Sequence, residues 1–229
     1  MNDRLDTVKD HFDTEAGIFD GRVIKTVPHY LEMLDALVSN IPFDKNASFS
    51  AVDMGCGTGT VAYLLKKTFP NAKVRCVDFA ANMLSRAREK LEDFEGVIFE
   101  QANISGYEFK GNIDAVVSSL ALHHLENDAE KRKFQEKAFG ALNPGGCFVN
   151  ADIILASDEK HQNISLEKWK EFNMRHLTQE QIKDRQHKYE TEDRPAVLMS
   201  ELNNLREIGF KNVDVYWKYY NFAVYGGMK

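Results

Sequence analysis

The sequence predicts an α/β fold, a mostly parallel sheet with helices on both faces, and three observations carry that prediction. From about residue 49 to about residue 154, β-forming runs alternate with helical patterns, the signature of βαβ units. The first apolar run breaks into three glycines at alternate positions, Gly55, Gly57 and Gly59, directly before a helical pattern. The next run ends in Val77-Asp78, one helix-length segment later.

Residues 49–54 read as a buried strand, and Val61, Leu64, Leu65 and Phe69 then follow helical spacing. Residues 72–77 form the second strand, 80–91 a helix, and a third strand precedes Gln101. The fourth strand and its exit loop span 114–125. A helix starting near Asn127-Asp128 puts Phe134, Ala138 and Leu142 on one face and stops at Asn143-Pro144-Gly145-Gly146. Residues 147–154 make the fifth strand. The polar segment 157–194 carries Leu166, Trp169, Phe172 and Met174 to Leu177, which suggests helices burying one face. It reads as an inserted cap or lid, or equally as surface helices on the sheet edge. Residues 198–208 are a further amphipathic helix ended by Gly209, and 213–217 and 219–225 are paired strands. The domain reading is one domain over 1–229, with an N-terminal helical cap at 1–45 and the insertion at 157–194.

The glycine loop sits between a strand and a helix N-terminus, the geometry used to approach a nucleotide closely. Its spacing is G-x-G-x-G, whereas the dinucleotide fingerprint is G-x-G-x-x-G. The acid Asp53 precedes it, which suits a ligand with a cationic amine or sulfonium better than a bare pyrophosphate. Asp78, closing the second strand, can accept from both ribose hydroxyls. Met83 can lay its thioether over an adenine face, or serve as core.

Together with Asn82-Met83-Leu84, Gln101-Ala102-Asn103-Ile104 and the run from Asp114 to Leu125, these segments resemble the class I S-adenosylmethionine-dependent methyltransferases over most of the chain. The resemblance implies a Rossmann-like methyltransferase sheet whose last strand is antiparallel, S-adenosylmethionine as cofactor, S-adenosylhomocysteine as product and a small-molecule acceptor. Asn103 stands where the family often has an aspartate accepting from the adenine amino group, and an asparagine carbonyl can do the same.

Both termini, His11 to Asp20 with Ile24 to Tyr30, and Trp217 with Tyr220-Asn221-Phe222, resemble the carboxy-S-adenosylmethionine synthases. These relatives use S-adenosylmethionine and prephenate, so the same chemistry is the alternative reading here. That resemblance implies Tyr30 over the cofactor, backbone contacts from Gly55, Cys56 and Gly57, Asp78-Phe79 and Asn103-Ile104 on ribose and adenine, and Ser119 beside the methionine part. An arginine ahead of the last helix would hold the extra carboxylate, and Arg185 is the nearby candidate. Against the synthase, the loop leaving the fourth strand carries His123-His124, as ordinary small-molecule methyltransferases often do.

That loop lies at the carboxyl end of a strand, where open α/β sheets bind ligands. An imidazole there suits general-base work, its unperturbed pKa being ~6.5. His123 is the catalytic candidate. His124 is the member of the pair that packs or caps the following helix, and packing is equally open for both. Asp152, ending the fifth strand, can orient a substrate or take a proton, or cap a turn. No Cys, Asp or Glu at ligand spacing accompanies the histidines, so no metal site is expected. Trp217, Tyr219, Tyr220 and Phe222 read as core before they read as a substrate face. Methyl transfer needs chiefly alignment and exclusion of water, because the sulfonium is already activated. A nicotinamide- or nucleotide-binding protein on the same sheet is the remaining alternative.

The 229 residues, 43% hydrophobic, suit one core. A formal charge of -6 with no basic run argues against a nucleic-acid partner. Cys56, Cys76 and Cys147, odd in number and widely spaced, point to reduced thiols and a cytoplasmic address. No signal-like or membrane-spanning run is visible, so no membrane association is expected.

Overall fold

The computed structural model describes Val8, Phe12, Thr14 and residues 17–229. Much of the expected N-terminal motif, including His11, Asp13 and Glu15, lies outside the described residues. Helices α1 (Phe19–Thr26) and α2 (Tyr30–Ser39) lead into β1 (Ser50–Met54). The alternation then runs α3 (Thr60–Thr68), β2 (Lys73–Asp78), α4 (Ala81–Lys90), β3 (Val97–Gln101), β4 (Ile113–Ser119), a 3-10 turn (Leu122–His124), α5 (Asp128–Ala141) and β5 (Leu142–Leu155). Helices α6 (Glu159–Asn173) and α7 (Gln179–Glu192) follow, then β6 (Ala196–Val197), α8 (Leu198–Ile208), β7 (Lys211–Tyr219) and β8 (Phe222–Met228).

The main sheet has the order β3-β2-β1-β4-β5-β8-β7, with β6 pairing β5 beside it. Strands β1 to β5 are parallel, and β8 is antiparallel to both β5 and β7. The fold class read from the sequence therefore holds, including the antiparallel last strand. Alternating side chains bury both faces, as a covered parallel sheet requires. Ala51, Val149 and Val224 pack with Met33, Leu37 and Leu65 of α2 and α3. On the other face Val52, Phe148 and Tyr225 pack with Phe134, Leu202 and Leu205 of α5 and α8.

Two boundaries differ from the expectation: the last two strands turn at Tyr220-Asn221, so Tyr219 closes β7, and β5 starts early. The Asn143-Pro144-Gly145-Gly146 segment, read as a stop, is the first part of β5. Gly145 N–H donates to Lys229 O (3.0 Å) and Lys229 N–H to Gly146 O (2.9 Å), so the C-terminus supplies pairing partners. The irregularity is absorbed as a register shift between Ile113 and Ala115.

The order reverses between β1 and β4, and their carboxyl ends form the crevice where such sheets bind ligands. Helices α6 and α7 bury little: Ser165 and Asn173 on one, Ile182 on the other. Trp169 Nε1–H nevertheless ties α6 to the end of α1 by donating to Thr26 O (2.8 Å).

Candidate active site

The β1 exit turns on Gly55, whose positive φ of 68° and close neighbours leave no room for a side chain. An added Cβ would lie 2.3 Å from the Cβ of Ala121. Gly55 and Cys56 N–H both donate to Val77 O, fastening the loop to β2 (2.8 and 3.0 Å). Gly57 N–H donates to Asp78 Oδ2 (2.8 Å) and Ala80 N–H to Oδ1 (2.9 Å). Two backbone donors thus fix the Asp78 carboxylate.

Helix α1 is latched onto this loop. Asp20 takes the Thr58 hydroxyl at 2.5 Å and the Lys90 ammonium at 2.6 Å, and Lys90 also reaches Thr58 and Thr60. These contacts hold Asp20 below the ordinary carboxylate value, the charged partners outweighing its partial burial. Thr58 and Lys90 were not singled out from sequence; a threonine in a glycine loop and a lysine at a helix end carry no distinctive signal.

A cavity opens above the loop. Ten of the residues selected from the sequence line it: Tyr30, Gly55, Cys56, Gly57, Asp78, Phe79, Met83, Asn103, Ile104 and Ser119. Asn103 Oδ1 accepts from Ser105 N–H (2.9 Å), which orients the amide at the wall. The Ser119 hydroxyl is buried with no hydrogen-bond partner among the described residues, an acceptor and donor suited to a ligand. Met83 is 1% exposed, so it is packed core and cavity wall at once. Burial pushes the Tyr30 phenol up, assisted by the Asp20 and Asp53 charges.

Two expected cofactor contacts lie elsewhere. Asp53 is fully buried beneath the loop, outside the cavity lining, because β1 alternation turns it under α3. Its Oδ2 accepts from Ala62 N–H (3.1 Å), while Oδ1 has no partner among the described residues. Burial pushes its carboxyl up to about 7, and the Asp78 charge adds to this against the Ala62 bond. Arg185 lines a second cavity, since α7 crosses there and not over the glycine loop. Arg194, closer to the last helix, turns its guanidinium onto Glu190 O and Asp193 O.

The second cavity adjoins the first along Phe12, Phe19, Leu120 and His124, which line both. Leu120 has a left-handed φ of 52°, a conformation costly for a branched side chain and one found where sites are built. His123, Trp169, Arg22, Lys188, Tyr189, Asp193 and Asn221 also line this cavity.

Asp152 lies 2.5 Å from His123 Nδ1 through Oδ1, and accepts His123 N–H through Oδ2 (3.1 Å). That places the ring proton at Nδ1 and leaves Nε2 on the opposite side. Burial disfavours the imidazolium, yet the Asp152 and Asp193 charges prevail and hold His123 above its ordinary 6.5. His123, the more buried of the pair, carries the Asp152 bond, and His124 packs against Phe12 in the wall between the cavities.

The fold also brings beside the histidines an acid that their sequence neighbourhood lacks. Asp193, some 70 residues downstream, is brought beside both rings. The backbone bond Arg194 N–H to His123 O (2.7 Å) pins the end of α7 to the β4 exit. No sequence spacing could have revealed this, because the join depends on where α7 docks.

Among the described residues no helix is long and apolar enough to cross a membrane. Cys56, Cys76 and Cys147 are all buried and unbridged.

Residues 51–146 match the family model for a methyltransferase domain. Carboxy-S-adenosyl-L-methionine synthase of Helicobacter pylori is 25% identical over 215 residues, covering 91% of this chain and 89% of that protein. The synthase of Campylobacter lari is 24% identical over 93% of this chain and 92% of its own. Among solved structures, a complex of DhpI with SAM and HEP superposes with a TM-score of 0.68 at 16% identity, covering 100% of this chain and 99% of the other. Phosphoethanolamine N-methyltransferase 2 of Haemonchus contortus, bound to S-adenosyl-L-methionine, gives 0.67 at 19% identity and covers 89% of this chain. The chain spans only 43% of that larger protein. Residues 51–146 thus carry a methyltransferase domain, and the chain as a whole has the fold of S-adenosylmethionine-dependent methyltransferases of known structure.

Proposed function

We propose that the chain transfers a methyl group from S-adenosylmethionine to a small molecule held in the second cavity. The observation that carries this is the junction of the two cavities at His124 and Leu120, with the buried His123–Asp152 pair beside it. The residues fit the cofactor: Asp78 for ribose, Asn103 and Ile104 for adenine, and the partnerless Ser119 hydroxyl for the methionine part. When bound, S-adenosylmethionine supplies an activated methyl that leaves its sulfur for the acceptor heteroatom, giving S-adenosylhomocysteine.

The residues of this chain then have to orient the acceptor, exclude water and take up its proton. Asp152 fixes the His123 ring, which is what an oriented imidazole beside an acceptor requires. Catalysis by alignment accounts for most of the remainder. Helices α6 and α7, lending Trp169, Arg185, Lys188 and Tyr189 to the second cavity, act as the cap that selects the acceptor. The acidic chain, without a concentrated basic surface in its sequence, supports a small molecule over a nucleic acid. The three unbridged thiols support a reducing, cytoplasmic setting.

The carboxy-S-adenosylmethionine synthase reading is the second one. It is favoured by the curated relatives carrying that name across about nine-tenths of the chain, and by Arg185 in the adjoining cavity. One experiment separates the two. Freshly purified protein is denatured and the released molecule identified by mass spectrometry. S-adenosylmethionine or S-adenosylhomocysteine, followed by labelled methyl transfer into a small-molecule extract, supports methyl transfer. The carboxylated sulfonium, formed from S-adenosylmethionine and prephenate, overturns it in favour of the synthase.

A further inference from the structure

His123, His124 and Asp193 bring three donor atoms together at the wall between the cavities. His123 Nε2 and His124 Nδ1 lie 3.5 and 3.4 Å from the same atom, Asp193 Oδ1. All three atoms fall within 4.8 Å of one another. A buried imidazole-carboxylate pair held by a charge-assisted hydrogen bond closes to about 2.7–2.9 Å. The Asp152 contact at the other edge of His123 is shorter still, at 2.5 Å, so the ring is not loosely placed. Two ligands sharing a tetrahedral ion through bonds of about 2.0–2.1 Å stand roughly 3.3 Å apart. The separations from Asp193 match ligands on one ion better than hydrogen-bonded partners.

We propose that His123 Nε2, His124 Nδ1 and Asp193 Oδ1 bind a divalent transition-metal ion, zinc or a metal of similar coordination. Charge agrees: Asp152 and Asp193 bring two carboxylates to two imidazoles in a site largely closed to water. So does the surrounding shell, because a ligating histidine generally donates its other ring N–H to a carboxylate, and Asp152 stands at that position. Two imidazoles and one carboxylate suit zinc, and three protein ligands leave a fourth coordination position. All three residues line the second cavity, so that position opens on it. This deepens the acceptor reading and rests on it: the substrate class becomes one that ligates through a hydroxyl or thiol, which the ion makes acidic. Nε2 of His123 then holds the ion, and the acceptor's proton passes to bulk water through the second cavity as the hydroxyl or thiol ligates.

The test uses the full chain, stripped with a chelator and titrated with Co²⁺ while its visible absorption is followed. The expected result is the intense spectrum of tetrahedral cobalt at one ion per chain, displaced by Zn²⁺. Asp193→Asn and His124→Gln should each weaken the site on the order of 100-fold, and Asp152→Asn by about 10–100-fold. Circular dichroism confirms that each variant is folded. Two variants are used so that one failing to fold leaves the other informative. Absence of the tetrahedral spectrum, or unchanged affinity in a folded Asp193→Asn or His124→Gln protein, overturns the proposal. Calorimetry of S-adenosylhomocysteine on the stripped protein is the separate control. Cobalt bound without S-adenosylhomocysteine upholds the metal site and sinks the cofactor reading; S-adenosylhomocysteine bound without cobalt does the reverse.

Discussion

Asp53→Asn should make the ligand-free protein more resistant to denaturant at pH 8 than at pH 5, relative to the parent chain. The carboxyl is fully buried and held at about 7, against 3.8 for an exposed aspartate. Between those values the folded chain keeps a proton that the unfolded chain has released. The unfolded state therefore binds fewer protons, and stability falls as pH rises through that window, then stays low above it. At about 1.4 kcal/mol per pH unit, the whole window amounts to roughly 4 kcal/mol, of which about 3 lies between pH 5 and pH 7. An asparagine cannot ionise, so it escapes that loss. It still accepts from Ala62 N–H, but its new amide donor meets no acceptor where Oδ1 has no partner now, costing about 1–3 kcal/mol at every pH. The informative quantity is thus the change in the difference between the two proteins, measured by urea unfolding at pH 5, 6, 7 and 8. A difference that stays flat across that range would falsify the assignment of a buried, reluctant carboxyl beneath the loop. The same carboxyl gives a ligand test. Cationic S-adenosylmethionine should gain affinity over neutral S-adenosylhomocysteine as pH rises through 7 in the parent, and the ratio should be flat in the variant.

Asp78→Ala removes the acceptor of two backbone donors and of the ribose, so cofactor affinity measured by calorimetry should drop on the order of 100-fold; unchanged binding would remove Asp78 from the site. Gly55→Ala places a Cβ against Ala121 at a positive φ, and its melting temperature should fall by an amount equivalent to more than about 2 kcal/mol. A melting temperature within a degree of the parent would show that the loop yields freely. Trp169→Phe deletes the bond to Thr26 O, about 1 kcal/mol, and should speed amide exchange at the end of α1 without altering the sheet; unchanged exchange there would detach α6 from α1. Glu201→Gln should stabilise the chain at pH 8 and scarcely at pH 4. Burial holds that carboxyl near 7 against an ordinary 4.5, so its penalty sets in only above the lower value.

The half of the site built by local sequence was readable, and the reason is mechanical. Gly55, Gly57 and Asp78 act through backbone geometry within two βα units, and strand parity fixes which face each residue takes. Asn103 and Ser119 follow because they stand at the carboxyl ends of parallel neighbours, a position set by strand order alone. Asp53 was misjudged for the same parity: one step before the loop it points under α3 and away from the ligand. The β5 start was missed because its Gly-Gly segment pairs with Lys229, a partner that no local pattern reveals.

The second cavity was opaque because its walls come from segments with weak patterns of their own. Helices α6 and α7 are mostly polar, burying only Ser165, Asn173 and Ile182, so hydrophobic periodicity could not orient them. Their placement instead rests on polar ties, Trp169 to Thr26 and Arg194 to His123. Such ties are individually worth about 1 kcal/mol. The division has a functional consequence. On the proposed function the cofactor rests on the βα loops, whereas Asp193, Arg185 and Asn221 line the second cavity from the end of α7, α7 itself and the β7–β8 turn. Changes confined to 157–194 should therefore redirect acceptor choice while leaving the cofactor cavity, and the affinity measured for it, essentially intact.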